Sequence, residues 1–460
     1  MIVMKFGGTS VGDAESIERV IEIIRGRLPR RPVVVVSAMG KTTRRLLEAA
    51  QAAAEANSRE AVGILTDLHQ THAREARRLV GSGAPAEVFR VIGSYFDELE
   101  KLLQGLAILG EVPPRGLDKI LAYGELLSSA ILAAALSARA LPARLLDARA
   151  LIKTDDRFGG ALPLVEATRT ELRRTVVPVV EAGALAVTQG FIGSTRDGAT
   201  TTLGFEGSDY TATLVGAALA AEDIEVWKDV SGLMTADPAV FAAARTVKVC
   251  SFAEAAELTY FGAKVLHPRA IHPAAQADIP VHIYNSRQPL ATGTEITRSA
   301  PACGNSIKSI AYKSRVSLLR VSGRSLGREE FLRALLGTLG RLNLQPLVVA
   351  GSGSQAALAL ETPVRSGARE ADLLEEVSAQ GEAELHSDKA IVTLVGEELR
   401  RDAKLLERVT QAAGGIRIHL IQHGPSMIAL HLVIDRGDIE RLVARLHAQF
   451  FSQLDTAIFG

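Results

Sequence analysis

The chain has little that would support a disulfide framework, a zinc site or a nucleic-acid-binding surface. Only two cysteines occur among its 460 residues, Cys250 and Cys303, and their wide separation excludes a disulfide scaffold and a cysteine-based zinc site. The 52 Lys+Arg residues balance the 52 Asp+Glu residues, so the basic surplus of a nucleic-acid binder is missing. Any phosphate site must therefore be local, and the cysteine content suits a reducing cytosol.

Signals for export and membrane insertion are also missing. The N-terminal MIVMKFGG runs from a short apolar strand straight into glycines, without the charged start, long apolar core and cleavage site of a signal peptide. No uninterrupted apolar run reaches the roughly 18 residues that a membrane span needs. We predict a soluble cytoplasmic protein without a membrane or nucleic-acid partner. Its 460 residues suffice for roughly two to four domains.

A glycine loop follows the first predicted strand. Lys5 leaves this short apolar strand and precedes Gly7, Gly8 and Ser10, after which apolar residues recur with the helical period. Glycines at this place let backbone amides approach phosphate oxygens closely, and the lysine supplies charge. The G-x-x-x-x-G-K-[ST] spacing of a Walker A motif is missing. The alternative interpretation of Lys5 is a surface lysine at a strand end.

The stretch from Gln189 to Ala221 has the strongest pattern of a binding site. It joins a glycine-punctuated loop, three threonines beginning at Thr200, the step Gly207-Ser208-Asp209 and a helix rich in small residues. Ser208 or Asp209 is expected to cap that helix, so that its amides point at an anion. An ordinary strand-turn-helix corner is the alternative.

Other charged and hydroxyl-bearing residues stand at the ends of predicted elements. Glu125 is placed just before a helix predicted from Leu126 to Leu136, where the helix dipole stabilises a carboxylate even without a ligand. Arg157 lies in a polar loop and could pair with a carboxylate. The remaining residues of this kind are Thr42, Thr43, Lys228, Asp229, Asp237 and Lys264. Lys264 could equally serve only to compensate a helix dipole.

The order of elements predicts two parts of different architecture. Up to residue 295, strands alternate with helices and polar loops follow the strands, which indicates an α/β fold with a parallel or mixed sheet. After a link from Ala291 to Ser306, Leu344 to Leu360 repeats as Ile416 to Leu432 at a constant offset. Each copy belongs to a predicted β-α-β-β-α module of ferredoxin-like type. We place the modules at residues 306–382 and 383–460, and the last strand of the second could return to the first.

Seven motifs in order resemble those of aspartate kinases in the amino acid kinase family. They are KFGGTS, YGELLSS, DRFG, QGFIGS, TTTLG with GSD, VWKDVSGLMTADP and FGAKVLHP. The C-terminal repeat resembles the family's pair of ACT domains, so the resemblance spans essentially the whole chain. It implies a three-layer α/β/α sandwich, residues 1–295, followed by two ACT modules. It also implies transfer of phosphate from ATP, with Mg²⁺, to the side-chain carboxylate of L-aspartate.

The resemblance assigns roles to individual residues. The catalytic residues would be Lys5, Asp209 and Lys264. The substrate would contact Thr43, Glu125, Arg157 and Ser208. The nucleotide would contact Lys5, Gly7, Gly8, Ser10, Lys228, Asp229, Asp237 and Lys264. No residue is assigned as a direct ligand of the metal, and the amides of Gly7 and Gly8 would assist the lysines at the phosphates.

Two departures from the family pattern affect substrate and nucleotide binding. The family usually reads GRGGSD where this chain has GFEGSD, so Phe205 replaces the arginine expected to clamp a substrate carboxylate. We hypothesise that Arg157 or Arg196 takes over this role. Many members also carry arginine where this chain has Ala239, and Lys228 would supply the missing charge to the phosphates.

The same resemblance implies regulation and assembly. An ACT pair would bind lysine or threonine at an intersubunit interface of a homodimer or higher homo-oligomer. The loops Gly351–Ser354 and His423–Ser426 do not indicate which effector binds, and the modules could serve only for dimerisation. Two other functions stay open: a kinase for another amino acid carboxylate and a catalytically inactive amino-acid sensor.

Overall fold

The computed structural model describes residues 1–81, 86–263, 266–323, 327–361 and 370–460. The turn predicted at Ser82, Gly83 and Pro85 lies outside these residues, and so does Lys264. The chain divides into two compact units, Met1–Gly232 with Val265–Ser299 and Leu233–Lys264 with Ala300–Gly460. Residues 233–264 thus group with the C-terminal part, and the borders at 295, 306 and 382 remain sequence-based predictions.

Helices and strands follow each other along both units. The helices are α1 (Ala14–Arg27), α2 (Thr42–Ala54), α3 (Ser58–Val80), α4 (Ala86–Leu109), α5 (Pro114–Ala138), α6 (Ala148–Leu151), α7 (Val165–Glu181), α8 (Gly207–Leu219), α9 (Phe252–Tyr260), α10 (Pro268–Ala277), α11 (Arg328–Arg341), α12 (Glu370–Ser378), α13 (Leu405–Ala413) and α14 (Ile439–Phe450). The strands are β1 (Ile2–Phe6), β2 (Pro32–Val36), β3 (Ala143–Leu146), β4 (Leu185–Gln189), β5 (Ile192–Ser194), β6 (Thr200–Thr202), β7 (Asp223–Lys228), β8 (Leu233–Met234), β9 (Thr246–Val247), β10 (Val249–Ser251), β11 (Val281–Asn285), β12 (Thr294–Thr297), β13 (Ser309–Gly323), β14 (Pro346–Ser352), β15 (Gln355–Glu361), β16 (Gly381–Val395), β17 (Ile418–His423) and β18 (Ala429–Asp435).

The first unit contains the predicted parallel sheet. Its strands run in the order β12-β11-β7-β1-β2-β4-β3, and all neighbours are parallel except β11 and β12. Strands β1, β2 and β4 are buried along their whole length, as their continuous apolar sequences require of strands covered on both faces. Because β7, β1, β2 and β4 are parallel neighbours, the loops that follow them gather at one edge of the sheet.

Helix α5 corrects the position predicted for Glu125. The helix begins at Pro114, where proline suits the first turn, and Glu125 lies in its middle rather than at its start. Gly124, the residue before Glu125, allows α5 to pack closely against Ala38, since an added Cβ would lie 2.8 Å from the Ala38 Cβ. Helix α5 is long and apolar enough to span a membrane by length and composition alone. However, 83% of its most apolar 18-residue stretch is buried inside the protein, and core helices of soluble proteins have the same property.

Helix α8 corrects the predicted cap. It begins at Gly207, so Ser208 and Asp209 are its second and third residues and not its cap. The capping position belongs to Glu206, whose φ of 53° lies in the left-handed region and whose side chain makes no capping hydrogen bond. The chain therefore enters this helix through a backbone turn, which leaves Asp209 available for contacts outside the helix.

The second unit contains the predicted repeat of two modules. Its sheet has the order β14-β15-β13-β16-β18-β17 with antiparallel neighbours. The two central strands have 15 residues each and pair along two stretches, with register shifts between them. The start of β16 completes the sheet of the first module, and the start of β13 completes that of the second. The last residues, by contrast, contribute only an isolated bridge between Phe459 and Val247 among the described residues.

Candidate functional site

A buried ion cluster lies where β1, β7 and α8 meet. Asp209 is 2% exposed, and its two carboxylate oxygens contact two different lysines. Lys5 Nζ lies 2.5 Å from Asp209 Oδ1, and Lys228 Nζ lies 2.8 Å from Asp209 Oδ2. The lysines come from neighbouring parallel strands, whereas Asp209 lies in the first turn of α8. One carboxylate therefore holds two cations at the edge predicted to bind phosphate.

The charges of this cluster depend on one another. Burial alone would raise the pKa of Asp209, but Lys5 and Lys228 outweigh burial and hold this pKa below its usual range. Burial would lower the pKa of Lys228, but Asp209 outweighs it and raises this pKa. For Lys5 burial is the larger effect and lowers the pKa, although Asp209 acts in the opposite direction. Asp209 and Lys228 therefore stay ionised at neutral pH.

Glu125 is a buried carboxyl group with one unused oxygen. Its Oε1 accepts a hydrogen bond from the Ala38 amide at 3.1 Å, whereas Oε2 has no hydrogen-bond partner in the part of the chain that the structure describes. Burial raises the pKa of Glu125 to about 8, although the charge of Lys5 acts in the opposite direction. An ammonium group next to Oε2 would supply the missing partner and favour the ionised carboxylate.

The glycine loop after β1 is only partly available to phosphate. The Gly7 amide donates to the Trp227 carbonyl at 3.0 Å, so it is already hydrogen-bonded within the protein, and its contact with phosphate stays a prediction. The Gly8 amide has no such partner within the described ranges, and a Cβ at Gly8 would lie 2.8 Å from the Ala38 carbonyl oxygen. The Ser10 hydroxyl lies 2.8 Å from that of Ser286. Of the two loop amides assigned to phosphate, the Gly8 amide is thus the one without a backbone acceptor among the described residues.

The two candidate threonines, Thr42 and Thr43, are the first residues of α2, directly after the loop that follows β2, and their hydroxyl groups have different surroundings. Thr42 is buried, and its hydroxyl donates to the Met39 carbonyl at 2.6 Å. Thr43 Oγ1, by contrast, lies 3.3 Å from the position that a Cβ of Gly124 would take. The Thr43 hydroxyl therefore faces Gly124, the neighbour of Glu125 in α5, whereas the Thr42 hydroxyl holds the loop.

Ser208 lies in close contact with the end of β4. A Cβ at Gly190 would lie 2.6 Å from the Cβ of Ser208, so only glycine lets the start of α8 approach the strand this closely. Phe191 strengthens the junction, since its amide donates to the Thr211 hydroxyl at 3.0 Å. The site thus combines Ser208 with Asp209 on one rigid helix start.

The contact between Gly124 and the loop after β2 leads to a stability prediction. In Gly124→Ala the new Cβ would lie 2.8 Å from Ala38 Cβ, so we expect a loss of about 1–3 kcal/mol in the free energy of unfolding. Urea unfolding followed by fluorescence of Trp227, the chain's one tryptophan and a buried residue of the first unit, measures this loss.

Gly116→Ala is the matched control for Gly124→Ala. Gly116 lies on the same helix, and the nearest atoms to its added Cβ are side-chain tips 3.9 Å away. Alanine should therefore keep or raise the stability by up to about 1 kcal/mol. Equal losses from both substitutions would contradict the steric explanation.

The two arginines proposed as carboxylate ligands occupy different places. Arg157 has a 71% exposed side chain, 3.2 Å from the Asp155 carboxylate, in a loop that packs against Gly204. Arg196 lies in the turn of the β5–β6 hairpin, at the opposite end from Phe205. Phe205 is 82% exposed, and its ring contacts that of His267 at 6.0 Å between centroids. The geometry therefore favours Arg157 over Arg196.

Of the remaining nucleotide residues, Asp229 lies close to this cluster, since its charge acts to raise the pKa of Lys228. Asp229 is exposed directly after Lys228. Asp237 belongs to the second unit, where its carboxylate accepts from the Ala239 amide at 2.9 Å and the Tyr312 hydroxyl at 3.3 Å. Lys264 lies outside the described residues, and its catalytic role stays a prediction.

Two acidic residues of the site were missed by the sequence patterns. Glu206 faces the cluster, because its charge acts to raise the pKa of both Lys5 and Lys228, and its Oε2 has no hydrogen-bond partner among the described residues. The sequence does contain one signal for this residue, since Glu206 stands where the family motif GRGGSD has a glycine. Asp118 is buried in α5 and holds two loops, and no local pattern marks it.

A magnesium ion fits the site only together with a nucleotide. Within the described ranges, no three Asp, Glu, His or Cys side chains form a metal site. Mg²⁺ is usually held by one or two carboxylates together with substrate phosphates and water. The unused oxygen of Glu206 fits one such contact, whereas both oxygens of Asp209 already contact lysines.

Comparisons with known proteins agree with this architecture. Residues 1–285 match the amino acid kinase family. The chain is 36% identical to chloroplastic aspartokinase 2 of Arabidopsis thaliana, over 98% of its own length and 84% of that protein. The crystal structure of Escherichia coli aspartokinase III with aspartate and ADP (R-state) is 32% identical, has a TM-score of 0.86, and is matched over 98% of this chain and 100% of that one.

The same Escherichia coli enzyme with lysine and aspartate (T-state) has a TM-score of 0.80 at 32% identity, over 98% of this chain and 99% of that one. These matches confirm the predicted kinase sandwich with its ACT pair. The chain belongs to the amino acid kinase family and, within it, to the aspartokinases.

Proposed function

We propose that the chain transfers the γ-phosphoryl group of ATP to the side-chain carboxylate of L-aspartate, which gives 4-phospho-L-aspartate and ADP. This is the entry step to lysine, threonine and methionine. The observation that carries the proposal is the pair of cations, the buried Lys5 and the half-buried Lys228, held by Asp209 at the carboxyl edge of the sheet. The aspartate and ADP bound to the related Escherichia coli enzyme support it.

The chemistry requires cations and positioning rather than a general base. A carboxylate is ionised at neutral pH, so its oxygen can attack the γ-phosphorus directly while the bond to the bridging oxygen of ADP breaks. Charge then spreads over the transferring group, and a fixed buried cation stabilises it strongly. Lys5 would supply this charge, and Asp209 would hold Lys5 in place. The catalytic contribution of Lys264 belongs to the same proposal.

The substrate ammonium would bind Glu125. Its Oε2 has no partner within the described residues, and the nearby Lys5 already favours its ionised form. Thr43 and Ser208 would complete this subsite through their hydroxyl groups. Binding of the ammonium group would therefore favour the ionised form of the Glu125 carboxylate, which burial disfavours.

The nucleotide phosphates would lie against Lys228 and the Gly8 amide, with Ser10 and Asp229 nearby, and a contact of Asp237 with the nucleotide stays a prediction from the sequence. Mg²⁺ supplies further positive charge to the phosphates when it is bound with ATP. Glu206 would hold the ion through its unused oxygen. Lys228 would also replace the charge that Ala239 does not provide.

The substrate's non-reacting carboxylate would pair with Arg157. We expect Arg157→Ala to raise KM for aspartate about tenfold, because a bidentate arginine contact contributes on the order of 1.5–3 kcal/mol. Arg196→Ala is the control and should leave KM within about twofold, since Arg196 lies at the far end of its hairpin. Unchanged KM values for both variants would refute an arginine replacement for Phe205.

One assay tests the function as a whole. The purified protein is incubated with Mg-ATP and a panel of amino acids, and hydroxylamine traps any acyl phosphate as a hydroxamate. Turnover on aspartate supports the proposal. Turnover only on another amino acid supports a different carboxylate acceptor, and no turnover with intact effector binding supports a sensor.

Regulation and assembly form a second part of the proposal. The two C-terminal modules would bind lysine or threonine, and lysine is present in the related Escherichia coli T-state structure. An effector that binds one of two conformations better must shift the equilibrium between them, and substrate affinity changes reciprocally. The chain would act as a homodimer or higher homo-oligomer in the cytoplasm.

A further inference from the structure

Asp118 holds two loops of the first unit with one buried carboxylate: the loop that contains Gly159, and the loop after β6, which it holds through Thr202, the last residue of that strand. It is 1% exposed and lies in the first turns of α5. Its oxygens accept hydrogen bonds from the Gly159 amide at 3.0 Å, the Thr202 amide at 2.9 Å and the Thr202 hydroxyl at 2.7 Å. These partners are 41 and 84 residues away along the chain. Asp118 therefore fixes long-range structure that no local turn provides.

Both loops belong to the place where the substrate's second carboxylate is proposed to bind. Gly159 follows Arg157 by two residues, and Thr202 precedes Phe205 by three. The loops also touch directly, since a Cβ at Gly204 would lie 3.3 Å from the Gly159 carbonyl oxygen. In addition, the Ala161 amide donates to the Thr202 carbonyl at 2.8 Å. The loops thus form one packed layer whose anchor is Asp118.

Helix α5 carries this anchor and Glu125 on the same face. The two carboxyl groups are seven residues apart, which is two helical turns and about 10.5 Å along the axis. Both are buried, and each accepts a hydrogen bond from the backbone of a loop at the site. One rigid helix therefore sets the distance between the ammonium subsite and the loops around Arg157 and Phe205.

We propose that Asp118 is a positioning residue that determines substrate length, because it fixes the loop of Arg157 relative to the reaction centre around Glu125 and Lys5. The inference rests on the proposed function. Aspartate and glutamate carry the ammonium group and the non-reacting carboxylate on the same carbon, and glutamate has one more methylene between this carbon and the carboxylate that is phosphorylated. Fixing Arg157 and Glu125 relative to Lys5 sets the reach to the reacting carboxylate and therefore favours one of the two substrates. Loosening the anchor should weaken aspartate binding and reduce discrimination against glutamate, while the nucleotide contacts stay in place.

Asp118→Asn tests this role with little change in shape. The amide nitrogen of asparagine is a donor and would face the donors of Gly159 and Thr202, so the loops lose part of their anchor. We expect KM for aspartate to rise about tenfold, KM for ATP to stay within about twofold, and the preference for aspartate over glutamate to fall several-fold. Thr202→Val removes only the hydroxyl bond and should raise KM for aspartate roughly threefold.

Glu75→Gln is the matched control. Glu75 is also a buried carboxylate, and it accepts from the Ala14 amide at 3.1 Å, outside the proposed substrate site. This variant should lose stability without a specific rise in KM for aspartate. If Asp118→Asn does not fold, the KM of Thr202→Val for aspartate tests the inference.

Three results would overturn the inference. The first is an unchanged KM for aspartate in folded Asp118 and Thr202 variants, and the second is an equal rise in KM for ATP. The third is a wild-type protein that does not phosphorylate aspartate. That last result, obtained before any variant is made, would refute the proposed function itself.

Discussion

Lys5→Met is expected to lower kcat for aspartate phosphorylation by about 10²- to 10³-fold, the range found when one preorganised donor is removed from a buried charge-stabilising site. Methionine keeps the length and packing of lysine but removes the charge that faces the transferring phosphoryl group. Asp209 would keep Lys228 as its partner, so the start of α8 retains one of its two ion pairs. The hydroxamate assay at saturating ATP and aspartate measures kcat.

Lys153→Met is the control for this substitution. Lys153 is half-buried in the same unit, and its ammonium donates to the Arg149 carbonyl and the Ser194 hydroxyl at 2.9 Å and 3.2 Å rather than to a carboxylate. Its kcat should stay within about twofold of the wild-type value. A Lys5→Met protein that folds and keeps more than a tenth of the wild-type kcat would show that Lys5 is not the main cation.

Glu125→Gln is expected to weaken function and strengthen the fold at alkaline pH. Removing the partner of a buried ammonium should raise KM for aspartate by about 30-fold or more, since truncating one member of such a pair costs on the order of 2–5 kcal/mol. At the same time glutamine cannot ionise. The unliganded variant should therefore be more stable than the wild type by roughly 2–4 kcal/mol at pH 8.5.

The sign of this pH effect follows from the pKa of Glu125. Burial raises that pKa to about 8 in the folded chain, from a usual value of 4.5 that also applies to the unfolded chain. Between these values the folded chain keeps a proton that the unfolded chain has released, so rising pH stabilises the unfolded state. The stability advantage of glutamine should be nearly absent at pH 4.5, grow between pH 4.5 and 8, and level off above pH 8.

Urea unfolding followed by Trp227 fluorescence at pH 4.5 and 8.5 measures this effect. Glu75→Gln provides a control of opposite sign. Although burial alone would raise the pKa of Glu75, the Ala14 amide, Arg74 and Arg78 hold it below its usual range. This control should therefore lose stability above pH 4.5. Identical pH profiles for wild type and Glu125→Gln would contradict a raised pKa at Glu125.

The sequence predicts the parallel sheet and its loop edge because these depend on local periodicity. Apolar runs ending in glycine or polar loops mark β1, β2 and β7, and adjacent parallel strands bring their loops together. Lys5 and Lys228 are therefore found from sequence, and the structure adds that Asp209 joins them. The repeat in the second unit is likewise visible, since each module keeps its own hydrophobic pattern.

Residues whose role depends on distant packing escape such patterns. The sequence pattern places Glu125 at a helix start, whereas α5 continues through Gly124, which passes close to Ala38. The Gly7 amide looks available until β7 supplies a carbonyl acceptor. The hydrogen-bond partners described for Asp118 lie 41 and 84 residues away. In each case the decisive neighbour lies far away in the sequence.

The long strands β13 and β16 have a consequence for how the second unit folds. Strand β13 is an inner strand of the first module and the edge strand of the second, and β16 is the reverse. Each four-stranded half of the sheet therefore needs residues from both modules. A fragment ending at residue 382 would keep the pairing of β13 with β15 but would expose almost the whole edge of β13 that faces β16, and an exposed strand edge of that length promotes aggregation. We therefore expect the two modules to fold as one cooperative unit. The pairing of β13 with β16 joins residues far apart in the sequence, so its register can form only after both strands have been synthesised.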